Sequence, residues 1–150
     1  MAELLERLRA DHAALARVQR ATVAGATSEE AKSEHSKDTR ALEQTYLARG
    51  QAQRVEEVYE GISRIAVLPL RVFAEVEPVA VGALVEIEEE GAPSALLLVP
   101  FGGGIRLSGG EQVVTPASPL GRVLVGRTAG DTVELKVAGR TRVLTVLGVE

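Results

Sequence analysis

Apolar residues in the first 66 positions recur at steps of three and four, which is the spacing of one face of an α-helix. The first stripe consists of Leu4, Leu8, Leu15, Val18 and Thr22, with Asp11 as a polar interruption. The second stripe consists of Val55, Val58, Ile62 and Ile65, and Gln44 and Gln51 continue it toward its start. The pattern predicts two long helices whose contact seam is apolar at one end and polar toward the middle.

The segment between the stripes, residues 25–38, contains signals for a helix end and a helix start. Gly25 favours the end of the first helix, and Ser36 or Asp38 can cap the second. Two long helices with a short connection pack antiparallel, so residues 1–66 are predicted to form a coiled-coil hairpin. Arms of about 25 residues would project its tip roughly 35–40 Å from its base, so the hairpin must protrude.

From Val67 onward the apolar spacing changes to period two, which is typical of β-strands. The predicted strands cover residues 83–87, 96–99, 112–115, 132–137 and 141–149. All six prolines follow residue 67, which leaves the first half free to form helix. Residues 67–150 are therefore predicted to form an α+β domain, an antiparallel sheet with one short helix on one face.

That short helix is predicted between the third and fourth strands. Ser118 can cap it, and Pro119 suits its first position, where no backbone N–H is needed. Gly126 is expected to end the helix. The side that faces the core is predicted to consist of Leu120, Val123 and Leu124.

Charge and composition exclude several classes of protein. The net charge is −4, with 11 basic and 12 acidic residues in 1–75 and 6 basic and 9 acidic in 76–150. Neither half has the basic surplus of a protein that grips nucleic acid directly. The absence of cysteine excludes disulfides and thiolate chemistry. No apolar run is long enough to span a bilayer, and the acidic amino terminus does not fit a signal peptide, so we expect a cytoplasmic protein.

Glycine and histidine supply weak candidate sites. Gly102–Gly104 and Gly109-Gly110 lack the Gly-Lys-Ser/Thr ending of a P-loop, so a connection between strands is favoured over a phosphate cradle. His12 and His35 do not have metal-ligand spacing. No Gly-x-Ser-x-Gly elbow occurs, which argues against a hydrolase.

Four acids near the predicted hairpin tip, Glu29, Glu30, Glu34 and Asp38, have two interpretations. One is a solvated hairpin end. The other is a tip that helps to hold Mg²⁺, because one or two carboxylates suffice when phosphates and water complete the coordination shell. Asp38 and Glu34 are the first choice, since a spacing of four at a helix start places both on one face. Glu29 and Glu30 are the alternative pair.

Residues 118–131 read Ser-Pro-Leu-Gly-Arg-Val-Leu-Val-Gly-Arg-Thr-Ala-Gly-Asp. This stretch closely resembles the signature of the C-terminal domain of the bacterial GreA/GreB transcript-cleavage factors, with the motif in order and at the family's spacing. Residues 54–68 also resemble the end of that family's second helix. The resemblance covers essentially the whole chain and implies a coiled-coil hairpin followed by an FKBP-like domain.

In the GreA/GreB family the C-terminal domain docks on RNA polymerase and the coiled coil enters the secondary channel. Tip carboxylates there support a Mg²⁺ ion in the polymerase's own active centre, which cuts backtracked RNA. The resemblance thus implies a transcription elongation factor without an active site of its own, which meets nucleic acid only through the polymerase. The implied polymerase-binding residues are Ser118, Pro119, Leu120 and Gly121.

The tip departs from the family's motif, Gly-Asp-Leu-Ser-Glu-Asn-Ala-Glu. One alignment keeps the glutamate as Glu29 but replaces the aspartate by Ala26. The other places Glu34 at the aspartate and Lys37 at the glutamate, with Asp38 following. Neither alignment restores both acids. Stimulation of cleavage, with Mg²⁺ shared by Asp38 and Glu34, and regulation or inhibition of the channel without cleavage therefore both stay open.

Two other functional classes compete with this interpretation. An FKBP-type peptidyl-prolyl isomerase would need an aromatic-lined pocket, but the second half has only Phe73 and Phe101 as aromatic residues. A coiled-coil adaptor for another partner is disfavoured by the polar Gln44 and Gln51 in the seam. We expect a monomer.

Overall fold

The computed structural model describes residues 1–30, 38–69, 71–74 and 76–150. The side chains of residues 26–30, 38–42 and 44 lie outside this description. Contacts between residues divide the chain into two compact units. Ala2 and Leu4–Ser63 form one unit, and Met1, Glu3 and Arg64–Glu150 form the other.

Helices α1 (Ala2–Glu30) and α2 (Asp38–Ala66) build the first unit. Each has 29 residues, which corresponds to a length of about 43 Å. Strong helix formers such as alanine, glutamate and arginine dominate both helices, and neither contains proline. The rings of His12 on α1 and Tyr59 on α2 are 5.8 Å apart. Because one lies near the start of its helix and the other near the end, the helices are antiparallel, and the predicted hairpin is confirmed.

The seam on α1 differs from the predicted stripe. Asp11 and Val18 are exposed, although the stripe predicted both to face α2. Leu4 and Leu8 are buried, and His12, Leu15, Gln19 and Thr22 are partly buried at helical spacing from them. These positions and the predicted stripe both advance from residue 4 to residue 22 in five steps, an average of about 3.6 residues, and they differ only in the order of the steps of three and four. A histidine therefore takes the place that the sequence pattern gave to an aspartate.

Within the described residues, the second unit contains a five-stranded sheet and the short helix α3 (Pro119–Leu124). The strands are β1 (Leu84–Glu89), β2 (Ala92–Leu98), β3 (Gln112–Val114), β4 (Thr132–Val137) and β5 (Arg140–Val149). Their order across the sheet is β3-β2-β1-β5-β4. The predicted α+β fold class is confirmed.

The sheet is mixed and not wholly antiparallel as predicted, because β2 pairs with β3 in parallel. Residues 99–111 separate these strands, a length that suits a parallel crossover better than a tight turn. The other pairs, β1 with β2, β1 with β5 and β4 with β5, are antiparallel.

The core of the second unit lies on one face of this sheet. It is formed by Phe73, Val79, Ala83, Val85, Ile87, Leu96, Leu98, Val114, Leu124, Val133, Leu135, Leu144, Val146 and Val149. Leu120 and Val123 of α3 are partly buried against it. The expectation that Leu124 is a core residue is confirmed, whereas Leu120 is only half-buried at the margin of the core.

Two-residue turns join β1 to β2 and β4 to β5. Glu90 and Gly91 form the first turn with φ of 52° and 79°, and Ala138 and Gly139 form the second with φ of 51° and 77°. Positive φ at both central residues matches the twist of the flanking strands. Alanine has no side-chain group that favours this conformation, so Ala138 is a local weak point.

We expect Ala138→Asn to stabilise the second unit by about 0.5–1 kcal/mol, because asparagine tolerates the left-handed region better than alanine. Urea unfolding followed by NMR signals of sheet amides measures the change. Ala92→Asn is the matched control, since Ala92 is exposed and lies in a strand. A gain at Ala92 as large as that at Ala138 would contradict the turn-based explanation.

Candidate functional site

The start of α3 is held by a side-chain cap. Ser118 has extended backbone angles, and its Oγ accepts a hydrogen bond of 3.0 Å from the N–H of Gly121. The same hydroxyl donates to the carbonyl oxygen of Thr115 at 2.8 Å. Pro119 occupies the first helical position. The predicted cap and helix start are confirmed, and they fix α3 to the end of β3.

Gly121 lies where no other residue fits. It is buried, and a β-carbon placed there would be 2.0 Å from the carbonyl oxygen of Thr115 and 3.0 Å from the Cα of Pro116. Both atoms belong to the backbone, so no side-chain rotation can relieve the overlap. The glycine lets α3 approach the segment after β3 this closely.

The remaining signature residues stabilise the segment that follows α3. Gly126 has φ of 81°, and its N–H donates to the carbonyl oxygen of Val79 at 2.8 Å. Gly130 has φ of 89°. Asp131 accepts hydrogen bonds from the backbone N–H and the hydroxyl of Thr128 at 2.9 and 3.3 Å. The signature residues thus fix the position of α3 between β3 and β4.

The predicted polymerase-binding residues differ in their accessibility. Pro119 is exposed and Leu120 is half-buried, whereas Ser118 is engaged in the cap and Gly121 is buried. Arg122 and Val125, which were not singled out from the sequence, are exposed beside them, and Val125 is 45% accessible. We call Pro119, Leu120, Arg122 and Val125 the α3 surface. Arg122 was already visible in the signature, as the residue after Gly121.

The predicted tip acids lie largely outside the description. Glu34 belongs to residues 31–37, which the structure does not describe. Glu29 and Glu30 are the last residues of α1 and Asp38 is the first of α2, and their side chains are not described. The expected sharing of Mg²⁺ by Asp38 and Glu34 therefore stays a prediction.

The glycine-rich segment forms a small turn of its own. Gly104 donates to the carbonyl oxygen of Val113 at 2.9 Å, and Leu107 donates to that of Glu111 at 2.8 Å. Gly110 donates back to Leu107 at 3.0 Å. These backbone N–H groups are satisfied within the chain, as expected for a connection between strands and not for a phosphate cradle.

Charged side chains with shifted pKa values serve the structure of the second unit. The backbone N–H of Ala74 and the guanidinium of Arg71 hold the pKa of the Glu77 carboxyl below its usual value. Arg71 also lies 4.0 Å above the ring of Phe73, a core residue. This cluster anchors the segment before β1 to the core.

A second ion pair joins β1 to β5. Arg142 donates to the carboxylate of Glu89, which lowers the pKa of Glu89 and raises that of Arg142. Glu90 adds a smaller attraction to Arg142. These groups are paired at the surface and do not converge on a cleft. Their shifted pKa values therefore indicate a structural ion pair between strands and not a catalytic site.

The hairpin carries an apolar groove between α1 and α2. It is lined by Leu15, Val18, Tyr46, Leu47, Gly50, Gln51 and Arg54. Tyr46 and Leu47 are 65% and 62% exposed. Among the described residues, Gln51 Oε1 is the buried side-chain atom without a hydrogen-bond partner. The groove coincides with the polar middle of the seam, where small and polar residues fill the contact incompletely.

The described residues contain no candidate metal site and no candidate membrane span. No three histidine, cysteine, aspartate or glutamate side chains there are placed to hold a metal ion together. No helix in the same part of the chain is long and apolar enough to cross a membrane.

The fold matches solved structures of transcription factors at low sequence identity. GreA factor homolog 1 (Gfh1) of Thermus thermophilus is 18% identical with a TM-score of 0.43, over 97% of this chain and 94% of that chain. Thermus aquaticus Gfh1 is also 18% identical, with a TM-score of 0.44, over 100% of this chain and 96% of that chain. The prokaryotic transcription elongation factor GreA/GreB from Nitrosomonas europaea is 18% identical, with a TM-score of 0.39, over 72% of this chain and 91% of that chain.

No family model matches the sequence, and no curated protein matches it either. Similarity at this level does not assign a function, which has to be argued from the residues.

Proposed function

We propose that this chain is a Gre-like transcription elongation regulator that binds RNA polymerase in the cytoplasm and inserts its hairpin into the secondary channel. The observation that carries the proposal is the 118–131 signature, which forms a capped helix with an exposed surface. On this proposal the factor supplies carboxylate side chains to the active centre of the polymerase and has no active site of its own.

The α3 surface supplies the contact with the polymerase. Ser118 and Gly121 contribute by fixing α3 and not by touching the partner, because one caps the helix and the other is buried. Pro119 and Val125 offer apolar area, and Arg122 offers a charge. A small apolar patch with an arginine is the composition that protein interfaces favour.

The helices of the hairpin are long enough to reach into a channel. The two ends of α2, Asp38 and Ala66, are about 42 Å apart. Asp38, at the start of α2, thus lies a full helix length from Ala66 at its other end. Exposed Tyr46 and Leu47 lie along this length and would contact the channel wall.

The tip acids would act on a metal ion that the polymerase also holds. Carboxylate oxygens suit Mg²⁺, and a second ion in a two-metal site stabilises the attacking and leaving oxygens of phosphodiester cleavage. Asp38 and Glu34 are the proposed ligands, with Glu29 and Glu30 as the alternative pair. The chemistry then belongs to the polymerase.

We expect the purified chain to be retained by RNA polymerase of its own species in a pull-down assay. Arg122→Glu should weaken this association about tenfold or more, because it reverses the charge at the centre of the α3 surface. Arg140→Glu is the matched control, an exposed arginine at the start of β5 and outside the α3 surface. Absence of any association of the unmodified chain overturns the proposed function. Equal binding by both variants would overturn only the assigned surface.

Cleavage by backtracked polymerase complexes distinguishes the two forms of the proposal. If the tip acids hold Mg²⁺, Asp38→Ala and Glu34→Ala should each lower cleavage about tenfold or more and leave binding unchanged. Glu43→Ala, at an exposed position of α2 outside the turn, is the control. A chain that binds polymerase but never stimulates Mg²⁺-dependent cleavage would instead be a regulator or inhibitor of the channel.

The structure disfavours the competing isomerase activity. Phe73 is 5% exposed and packs in the core, which leaves little of its ring for contact with a substrate. Phe101 alone does not make the aromatic pocket that the activity needs. A prolyl-isomerisation assay on a model peptide decides the question directly.

A further inference from the structure

Strand β4 is an edge strand with an accessible backbone. Its neighbour in the sheet is β5, and β4 ends the strand order. The N–H of Val146 donates to the carbonyl of Asp131, so in the alternating antiparallel ladder the odd-numbered residues of β4 bond to β5. The backbone groups of Thr132, Glu134 and Lys136 therefore point away from the sheet, and all three residues are exposed.

The second half of this edge extends beyond the sheet. β1 ends at Glu89, which lies opposite Leu144 of β5. Residues 140–143 of β5 and their partners 134–137 of β4 therefore continue as a two-stranded ribbon. Helix α3 packs on β4, but its buried residue Leu124 belongs to the core and not to the ribbon. Among the described strands, none pairs with the outer edge of β4.

We propose that two copies of this chain pair through β4 in antiparallel orientation, with Leu135 of each copy at the twofold axis. In this register Glu134 of one copy lies opposite Lys136 of the other, and the reciprocal pair forms as well. Within the described residues neither side chain has an ion-pair partner. Opposite charges directly across a strand pair stabilise it.

Charge also selects this register over its neighbour. Backbone geometry requires outward-facing residues to meet, so the alternative registers differ by two positions. The two adjacent registers place Glu134 opposite Glu134 or Lys136 opposite Lys136 of the other copy at the axis, where like charges repel. The proposed register replaces that repulsion by two attractive pairs. The sequence Thr-Val-Glu-Leu-Lys-Val is therefore complementary to itself in one antiparallel register.

The resulting dimer is weak. A pair of six-residue strands buries less surface than the roughly 1,200 Å² of a stable protein interface. We therefore expect the monomer predicted from the sequence in dilute solution and the dimer at high concentration. Exposed ion pairs are screened by salt, so the dimer should weaken as ionic strength rises. This inference is independent of the proposed polymerase binding.

Sedimentation equilibrium of the full chain between about 10 µM and 1 mM tests the pairing, a range chosen for the weak affinity of a small interface. The unmodified chain should show a concentration-dependent increase toward the dimer mass. Glu134→Lys should weaken dimerisation about tenfold or more, and so should Lys136→Glu, because each change places like charges opposite each other twice.

A mixture of the two single variants provides the sharpest measurement. The Glu134→Lys chain presents two positive charges on its edge and the Lys136→Glu chain presents two negative ones. An equimolar mixture should therefore form a heterodimer, and the double variant should form a homodimer again. Glu88→Lys on the central strand β1 is the control and should behave like the unmodified chain.

Circular dichroism of each variant establishes that it is folded. Two outcomes overturn the proposal. A chain that stays monomeric over the whole range would mean that Glu134 and Lys136 only protect the edge from aggregation. A dimer that persists in both single variants would mean that another surface forms it.

Discussion

Gly121→Ala is expected to destabilise the second unit by about 3 kcal/mol or more, although alanine is the better helix former. The added methyl group would overlap the carbonyl oxygen of Thr115 at 2.0 Å and its carbonyl carbon at 2.8 Å. Only a movement of α3 away from β3 relieves this contact. That movement would strain the Ser118 cap and separate Leu124 from the core.

Urea unfolding of the full chain, followed by NMR signals of the β-sheet amides, measures this loss in the second unit. Gly148→Ala is the matched control, because the nearest atom to a β-carbon there is a carboxylate oxygen of Glu86 at 3.9 Å. The control should change the free energy of unfolding by less than about 1 kcal/mol. A mild effect at Gly121 would show that α3 is not held as closely to Thr115 as described.

The same variant separates two roles of the signature. If Gly121 acts by positioning α3, its substitution should lower polymerase binding together with stability. If it contacted the polymerase directly, binding would fall while the free energy of unfolding stayed unchanged. Its burial supports the first outcome.

Leu124→Ala is expected to cost the second unit about 2–5 kcal/mol. Leu124 is 1% exposed and packs in the main core cluster, so truncation removes apolar contacts and leaves a cavity. Helix α3 has six residues and cannot close that cavity without losing its cap. The same sheet-amide signals report the change.

Val125→Ala is the neighbouring control for this prediction. Val125 is 45% exposed and ends the helix, so its truncation should cost less than about 1 kcal/mol. A loss below about 0.5 kcal/mol at Leu124 would contradict the placement of α3 on the core.

The sequence by itself was sufficient for the local elements. Helical spacing and the absence of proline predicted α1 and α2, and period-two spacing predicted most of the sheet. Ser118 and Pro119 predicted the start of α3, because capping depends on a few adjacent residues and little else. The resemblance at 118–131 also predicted a functional surface there, and that part stays a prediction.

Packing between distant residues decided what the local pattern could not. His12 faces Tyr59 where the stripe predicted Asp11, because steps of three and four both keep residues on one helix face, and only contact with the partner helix decides which of two adjacent residues turns toward it. The parallel pairing of β2 with β3 depends on the path of residues 99–111, which no periodicity encodes. The free edge of β4 likewise follows from strand order alone.

The roles within the signature were decided in the same way. The sequence indicated that Ser118, Pro119, Leu120 and Gly121 belong together, because they are adjacent and resemble a known motif. Only the tertiary structure separated the buried Gly121 and the capping Ser118 from the exposed Pro119 and Arg122. The reason is physical: a residue's neighbours along the chain fix its backbone conformation, but accessibility depends on which distant segment, here the end of β3 at Thr115, packs against it.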